Sequence, residues 1–379
     1  MVFWAISLQI LLGLVILKTD FGQVALKETA GAVTSLIRYA DFGGEFVFGH
    51  LSRDPTPFIF AFRVLPIVIF ISSFFTCLYY LGIMQLIVVA MAKVMTRFLG
   101  VSGAEALATA ANVFMGQTEA PLVIAPYIPS MTYSELMALM TGGMATVSGA
   151  ILGAYIGYGI NAEYLITASV MAAPGALMMA KIIIPETGTP VTAGEVRLKI
   201  ERTDANLIEA AARGASQGLK LALNIAAMLI AFIAMIYLIN AVISWCGRLT
   251  GLESLIGAPI TFELILGYFL APLAFVMGVP FEEAATVGRL LGLKIVLNEV
   301  IAYADLAEIK DTLSPRAELI ATFALCGFAN FSSLGIQLGG IGPLAPERRN
   351  DLATIGLRAV LAGVLATCMT ATLAGLLKS

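Results

Sequence analysis

The residues of this chain best suited to chemistry lie within residues 111–121. There the amide of Gln117, the hydroxyl of Thr118 and the carboxylate of Glu119 stand side by side in otherwise apolar surroundings. A carboxylate at the depth of a bilayer is costly unless it lines a polar cavity or has a partner. Glu119 is therefore a candidate for a functional site, and the helix-breaking Pro121 predicts that the backbone opens beside it.

The composition is that of an integral membrane protein. Of the 379 residues, 59% are hydrophobic and only 12% are charged, whereas soluble domains carry about 25% charged residues. The only histidine is His50, and the cysteines have no metal-ligand spacing, which argues against a metal or catalytic centre built on these residue types. No acidic tail or basic patch indicates a nucleic-acid partner.

Long apolar runs predict membrane-spanning helices. They lie at residues 2–18, 64–91, 133–160, 162–184, 216–245, 316–342 and 353–377. The first run lacks the basic n-region and the cleavage site of a signal peptide, so we expect it to remain as a helix. Residues 24–51 mix charged with apolar positions, which predicts a helix along the membrane interface.

Two further apolar segments, residues 104–128 and 283–308, carry polar residues in their middle. Each is predicted to form a re-entrant hairpin of two half-helices, because open backbone at membrane depth must face protein or a wet cavity. Two of the predicted spans are also interrupted by polar residues. The four predicted breaks are at residues 112–119, 146–149, 298–299 and 328–333.

The two halves of the chain repeat the same order of features. Glu105 precedes Glu119 as Glu283 precedes Glu299, and a Glu-Leu pair, a glycine and a polar run follow in both halves. Repeats with interrupted segments in corresponding places are typical of secondary transporters, whose site lies at the repeat interface near the middle of the bilayer. The predicted fold is an all-α polytopic membrane protein with inverted repeats, two re-entrant helical hairpins and two broken transmembrane helices.

The basic residues between the spans indicate an orientation. They fall on one side of the membrane if each hairpin returns to the side from which it entered, and the positive-inside rule makes that side cytoplasmic. They are Lys93, Arg97, Lys181, Arg197, Lys199, Arg202, Arg213, Arg348 and Arg349. Residues 185–214 form the only long polar stretch, which predicts a solvated linker between the two halves.

The polar side chains at the breaks are amides, hydroxyls and two carboxylates, without an arginine or lysine. This set of side chains fits a neutral, multiply hydroxylated solute better than an anion. A broken helix also exposes free carbonyl groups, and a pocket rich in oxygen suits a hard cation such as sodium. The breaks therefore predict a binding site for a polar solute together with a cation.

Three segments resemble the signature motifs of the concentrative nucleoside transporters. They are GQTEAP at residues 116–121, NEVIAY at residues 298–303 and GFANFSS at residues 327–333, in the order that the family has them. Residues 60–66 and 172–175 are also similar to bacterial members of that family, and the likeness runs from about residue 40 to the C-terminus. One departure is Val300, where the family usually has an aromatic residue.

The resemblance implies a set of binding residues. Those that would contact the nucleobase or pack near it are Gln117, Thr118, Glu119 and Ile151. Those that would hold the ribose or pack against the nucleoside are Glu299, Asn330, Ser333 and Phe328. Those that would coordinate a co-transported sodium ion, through side chains or backbone carbonyl groups, are Asn112, Met115, Thr146 and Val147.

The same resemblance implies a sodium-coupled nucleoside symporter that forms a homotrimer in the lipid bilayer of a bacterial inner membrane. A trimerisation scaffold would hold a transport domain that moves across the bilayer like an elevator. The expected parts are N-terminal scaffold and interfacial helices at residues 1–103, the two halves of the transport domain at 104–184 and 282–342, a cytoplasmic linker at 185–214, a long scaffold helix with an extracytoplasmic-side helix at 215–281, and a C-terminal membrane helix at 343–379.

Other functions remain open at this point. A proton could replace sodium, with Glu119 or Glu299 titrating, but Asn112 and Thr146 together favour sodium. A membrane-embedded enzyme would need a nucleophile with its base, a phosphate-binding loop or a metal cluster, and the sequence offers none of these. The breaks could also line a channel, which would not concentrate a solute.

Overall fold

The computed structural model describes residues 1–52, 59–194, 204–251 and 259–378. Regular structure in these ranges is helical. The α-helices are α1 (Val2–Lys18), α2 (Asp20–Phe48), α3 (Phe60–Tyr80), α4 (Ile83–Leu99), α5 (Gly103–Asn112), α6 (Tyr133–Ala145), α7 (Gly149–Gly157), α8 (Ala162–Ile183), α9 (Leu207–Leu249), α10 (Phe262–Val276), α11 (Phe281–Val296), α12 (Glu299–Ile309), α13 (Pro315–Leu325), α14 (Phe331–Ile341) and α15 (Arg349–Leu377). Short 3₁₀ helices lie at Gly49–Ser52, Ala120–Ser130, Lys310–Thr312, Gly342–Leu344 and Pro346–Arg348.

Five helical segments of the described residues are long and apolar enough to cross a membrane. They are Ala61–Tyr80, Tyr133–Gly157, Ala162–Ile183, Leu207–Leu249 and Pro346–Leu377. Two bent pairs, α1 with the segment Asp20–Ser52 and α10 with α11, raise the number to seven if each counts as one span. The predicted all-α polytopic architecture is confirmed.

The predicted span at residues 64–91 is too long, and the predicted span at residues 316–342 is not among the five segments above. The apolar run at residues 64–91 is divided into α3 and α4 by a turn at Gly82, whose φ of +81° is a conformation that glycine adopts readily. Only α3 is a candidate span, while α4 packs against α5. The runs at residues 216–245 and 353–377 belong to the longer helices α9 and α15.

α2 runs in a different direction from α1. Thr19 alone separates them, the bend is 78°, and the Thr19 hydroxyl accepts from the N–H of Gly22 at 3.0 Å to cap α2. The buried residues of α2 recur at helical spacing, and the helix packs against α1, α3 and α8. This pattern is that of an amphipathic helix, and its position along the membrane interface stays a prediction.

Both predicted hairpins are present. α5 packs against the 3₁₀ helix Ala120–Ser130, and α11 packs against α12. Each hairpin is tied at its open end to the broken helix that follows it. Ser102 Oγ donates to Glu135 Oε1 at 2.6 Å in the first half, and Ser314 Oγ donates to Glu283 Oε2 at 2.6 Å in the second. The repeated link supports the correspondence of the two halves.

Both interrupted spans are broken helices. Residues 146–148 separate α6 from α7, and residues 326–330 separate α13 from α14. The two breaks touch, because a Cβ at Gly327 would lie 3.0 Å from the carbonyl oxygen of Met144. The open backbones of the two halves therefore share one place in the protein.

Several charged residues gather at one end of the bundle. Lys181 pairs with Glu105 and Glu186, and Arg348 donates to two carbonyl groups at the end of the 3₁₀ helix Ala120–Ser130. These contacts bring together basic residues that the charge pattern predicts to lie on the same side of the membrane. Arg197, Lys199 and Arg202 lie outside the described residues, and the cytoplasmic assignment of this end stays a prediction.

The helices with breaks form one bundle. α15 packs against α6, α8 and α13, and α1 packs against α8. The longest helix, α9, packs against α3, which also contacts α7 of the bundle. The cavity described below lies between this pair and the breaks. The division of the chain into scaffold and transport domain stays a prediction.

Candidate functional site

A cavity of about 730 Å³ lies between the breaks and the helices α3 and α9. Its size is that of a typical small-molecule pocket, for which roughly 300–1,000 Å³ is usual. All the residues predicted to bind the solute line it, namely Gln117, Thr118, Glu119, Ile151, Glu299, Phe328, Asn330 and Ser333. The fold therefore brings residues of both halves to one place, and their individual roles stay predictions.

Glu299 is a buried carboxylate at the start of α12, with 4% of its surface exposed. Asn330 Nδ2 donates to Glu299 Oε2 at 2.8 Å. Asn330 Oδ1 accepts from the N–H of Ser333 at 2.7 Å and so caps α14. Asn330 thus positions Glu299 in the cavity wall, where the carboxylate can accept hydrogen bonds from hydroxyl groups of a solute.

Gln117 connects the first hairpin with the second half of the chain. Its Nε2 donates to Ser333 Oγ at 3.2 Å, while its Oε1 is buried without a hydrogen-bond partner among the described residues. Glu119 turns back on the hairpin tip, because its Oε2 accepts from the N–H of Gly116 at 2.7 Å. The unpaired Gln117 oxygen is an acceptor for a donor on a bound solute.

Three of the four residues predicted to bind sodium lie behind the cavity wall. Asn112, Thr146 and Val147 are buried, and Met115 lines the cavity itself. A backbone hydrogen bond of 3.0 Å from the first residue of α7 to Phe114 joins the hairpin tip to the first break. The structure thus places the end of α5 beside the break between α6 and α7, as the sodium prediction requires.

The oxygen atoms of this region fit a hard cation. Asn112 Oδ1 is buried without a hydrogen-bond partner in the described part of the chain, as are the hydroxyl oxygens of Thr109 and Thr141. Thr146 Oγ1 donates to the carbonyl oxygen of Gly142 at 2.8 Å, so its lone pairs remain able to accept. Gly142 permits the close approach, because a Cβ there would lie 3.1 Å from Thr109 Oγ1. Buried acceptors without partners are costly, and a cation would offset that cost.

The wall of the cavity opposite the breaks was not predicted from the sequence. There α3 and α9 contribute polar residues, namely Ser72, Thr76, Tyr79, Arg213, Gln217, Lys220 and Asn224. Those of α9 recur every three or four positions, and this spacing is the signal that marks a polar stripe on an apolar helix. The cavity therefore contains two cationic side chains, although the breaks themselves have none.

Arg213, at one end of this stripe, is held by a carboxylate outside the helix. Asp204 Oδ1 accepts from Arg213 Nε at 2.7 Å, and Oδ2 accepts from Nη2 at 2.6 Å. These hydrogen bonds hold the pKa of Asp204 below its usual range. The pair thus fixes the orientation of the guanidinium group in the wall of the cavity.

Gly327→Ala is expected to destabilise the protein by about 1–3 kcal/mol, the usual cost of overpacking. The new Cβ would lie 2.8 Å from Thr367 Cγ2 and 3.0 Å from the Met144 carbonyl oxygen, and that backbone has little room to move. Melting temperatures of the purified variants measure the effect. Gly335→Ala is the control, because a Cβ there meets nothing within 4 Å. Equal melting temperatures would contradict the close contact of the two breaks.

Three family models match consecutive parts of the chain. Residues 1–51 match the Na+ dependent nucleoside transporter N-terminus, residues 61–161 match the Gate model for nucleoside recognition, and residues 164–375 match the Na+ dependent nucleoside transporter C-terminus. The last match alone covers more than half of the chain and includes the second hairpin and the second broken helix.

Curated relatives match nearly the whole of this chain. Solute carrier family 28 member 3 of Mus musculus is 44% identical over 393 residues, which is 100% of this chain and 55% of that protein. Sodium/nucleoside cotransporter 1 of Mus musculus is 44% identical over 391 residues, 99% of this chain and 59% of that protein. The chain therefore spans little more than half the length of these relatives.

Solved structures of CNTnw have the same fold. CNTnw in an inward-facing substrate-bound state is 41% identical with a TM-score of 0.93, covering 100% of this chain and 92% of that one. A CNTnw variant in an outward-facing state is 40% identical with a TM-score of 0.94, covering 100% and 91%. Motifs, hairpins, family models and relatives agree, and the chain belongs to the family of sodium-dependent nucleoside transporters.

Proposed function

We propose that this protein imports nucleosides together with sodium. The observation that supports the proposal most is the single cavity to which both hairpins and the second break contribute Gln117, Glu299 and Asn330. Relatives named sodium/nucleoside cotransporter support the choice of solute and ion. The activity is a proposal for the region that this chain shares with those longer relatives.

The ribose is assigned to the second half of the chain. A carboxylate accepts two hydrogen bonds from a vicinal diol, so Glu299 suits the 2′ and 3′ hydroxyl groups. Asn330 holds this carboxylate at 2.8 Å, and Ser333 lies beside it in the cavity wall. Phe328 offers an apolar face for the nucleoside. The site would thus recognise a ribose by its hydroxyl groups.

The nucleobase is assigned to the first half of the chain. Gln117, Thr118 and Glu119 offer both donors and acceptors at the hairpin tip, which a polar base edge needs. Ile151, on the first turn of α7, adds an apolar surface to the same cavity. These groups support a nucleoside as the class of solute and do not select a particular base.

Sodium is assigned to the oxygen atoms around Asn112, Met115, Thr146 and Val147. An ion there would join the end of α5 to the first break and so hold the hairpin tip in place. Gln117 belongs to that tip and bonds across the cavity to Ser333. Ion binding would thereby organise the nucleoside site, which is a physical basis for coupling.

We further propose an elevator-like exchange of access. The hairpins and broken helices of residues 104–184 and 282–342 would move against a scaffold that includes residues 1–103 and 215–281, with residues 185–214 as the cytoplasmic linker and 343–379 as the C-terminal membrane helix. The polar stripe on α9 offers a surface along which polar groups of the site can move. Structures of CNTnw in inward-facing and outward-facing states support alternating access. In this proposal the protein forms a homotrimer in a bacterial inner membrane.

Uridine is expected to bind more tightly than 2′-deoxyuridine or 3′-deoxyuridine. A nucleoside that lacks one hydroxyl leaves a buried acceptor of Glu299 unpaired, at a cost of about 1–3 kcal/mol, or about 5- to 150-fold in affinity. Competition against labelled uridine uptake measures the ratio. Equal competition by all three nucleosides would count against the role of Glu299.

Proton coupling on the same fold is the second candidate, because Glu119 and Glu299 both line the cavity. Uptake of labelled uridine in sodium and in choline buffer across a pH series separates the two ions. Uptake that requires sodium at every pH supports sodium coupling. Uptake in choline that follows the proton gradient would replace sodium by protons in the proposal.

A further inference from the structure

Lys294 is a buried cation outside the proposed solute site. It lies in α11, the first half-helix of the second hairpin, with 1% of its surface exposed, and it is not part of the cavity wall. Its Nζ donates to the Ala324 carbonyl oxygen at 2.7 Å and to Thr367 Oγ1 at 2.9 Å. A buried ammonium group is costly unless oxygen atoms replace its water. These two oxygens therefore form a cation site that a side chain occupies.

The carbonyl group that binds Lys294 belongs to the end of a helix. Ala324 is in the last turn of α13, which stops at Leu325 inside the protein. The last carbonyl groups of a helix lack intrahelical partners and carry the negative end of the helix dipole. A positive charge at this point stabilises the second break.

The first repeat has the same arrangement, with an amide where the second has an ammonium group. α6 also ends inside the protein, and the first hairpin places Asn112 against it, because a Cβ at Gly142 of α6 would lie 3.4 Å from Asn112 Nδ2. In both repeats the next helix supplies a hydroxyl to the hairpin: Ser169 of α8 donates to a carbonyl of the first hairpin at 3.2 Å, and Thr367 of α15 accepts from Lys294. Asn112 Oδ1, by contrast, has no hydrogen-bond partner among the described residues.

We propose that Lys294 is a tethered cation that occupies, in the second repeat, the counterpart of the sodium site in the first, so that the protein couples one sodium ion to each nucleoside. The inference rests on the proposed sodium site at Asn112. The second hairpin is then fixed to the ends of α13 and α15 by its own side chain, whereas the tip of the first hairpin is fixed to the end of α6 by a sodium ion. Sodium therefore controls one hairpin of the pair.

The coupling ratio of the unaltered protein is the first test. Proteoliposomes that contain the full chain are supplied with labelled sodium and labelled uridine, and the two fluxes are compared. One sodium ion per uridine and a Hill coefficient for sodium near one are expected. Two or more ions per uridine would overturn the inference and leave the proposed function intact. Absence of any sodium-driven uridine uptake would instead refute the proposed function.

Lys294→Ala is expected to lower uridine uptake by about tenfold or more, because oxygens arranged for a cation lose it. Methylammonium, which can enter the vacated space, is expected to restore part of the uptake. In its absence a second sodium ion would fill the site, and the Hill coefficient would rise towards two. Lys93→Met, which changes an exposed lysine of α4, is the control and is expected to keep both values.

Lys294→Met is a second variant for the case in which the alanine variant fails to fold. It keeps an unbranched apolar side chain of similar length and removes the charge. A folded methionine variant with unaltered uptake and sodium dependence would overturn the inference, as would a folded alanine variant that ignores methylammonium and keeps a Hill coefficient of one. If neither variant folds, the coupling ratio of the unaltered protein decides.

Discussion

Glu299→Ala is expected to abolish uridine binding at concentrations that saturate the unaltered protein. Glu299 is 4% exposed and lines the cavity beside Asn330, so water does not readily replace the lost acceptor. Two hydrogen bonds to a charged group contribute about 1.5–3 kcal/mol each, and their loss corresponds to a decrease in affinity of about 100-fold or more. Calorimetric titration of the purified protein with uridine in sodium buffer measures the change.

Glu308→Ala is the matched control, because Glu308 belongs to the same helix, α12, and is exposed. We expect it to bind uridine as the unaltered protein does. Glu299→Gln keeps the size of the side chain and one acceptor oxygen, so its affinity should lie between those of the unaltered protein and the alanine variant. Uridine affinity within twofold of normal in a folded Glu299→Ala variant would remove Glu299 from the solute site.

Asn112→Leu is expected to raise the sodium concentration for half-maximal uptake by about tenfold or more. The leucine has a similar volume but no oxygen, and Asn112 Oδ1 is a buried acceptor without a partner. Loss of one oxygen ligand from a dehydrated cation leaves its charge less well compensated, at a cost above about 1.4 kcal/mol, which is tenfold. Initial rates of uridine uptake as a function of sodium concentration give the value directly.

Two further variants separate the oxygen of Asn112 from its other role. Asn112 Nδ2 donates to the Ala108 carbonyl oxygen at 3.1 Å, and Asn112→Asp keeps the oxygen while losing that donor. It should therefore retain sodium dependence much better than the leucine variant. Asn350→Leu changes an exposed asparagine of α15 and should alter nothing. Equal sodium dependence of the Asn112→Leu variant and the unaltered protein would exclude this site.

The order of features along the chain predicts much of the fold. Polar breaks within apolar runs led to two hairpins and two broken helices, and all four are present. The reason is physical, because the hydrocarbon core of a bilayer permits few backbone arrangements, and a break at that depth must face another break or a wet cavity. The breaks thus marked the segments of the site, whereas the individual residues expected to bind the solute were implied by the resemblance of three motifs to the transporter family.

The misses also have physical causes. The turn at Gly82 lies in an apolar run without a charged residue to mark it, so hydropathy alone joins α3 to α4. The polar stripe of α9 is recognisable by its spacing, but its direction depends on how α9 rotates against α3. The sequence does not distinguish Lys294 from an ordinary lysine of the second hairpin, because its partners Ala324 and Thr367 are distant in the chain.

Apolar periodicity and the placement of polar residues were enough to establish a membrane transporter fold and the segments that form its site. Packing alone decided which buried oxygens have partners and which do not. Under the proposed correspondence of the two repeats, Asn112 presents an unpaired oxygen, whereas the ammonium group of Lys294 occupies the oxygens at its own position. The difference arises from contacts between helices that are far apart in sequence. A buried polar group finds a hydrogen-bond partner only if another helix brings one close to it.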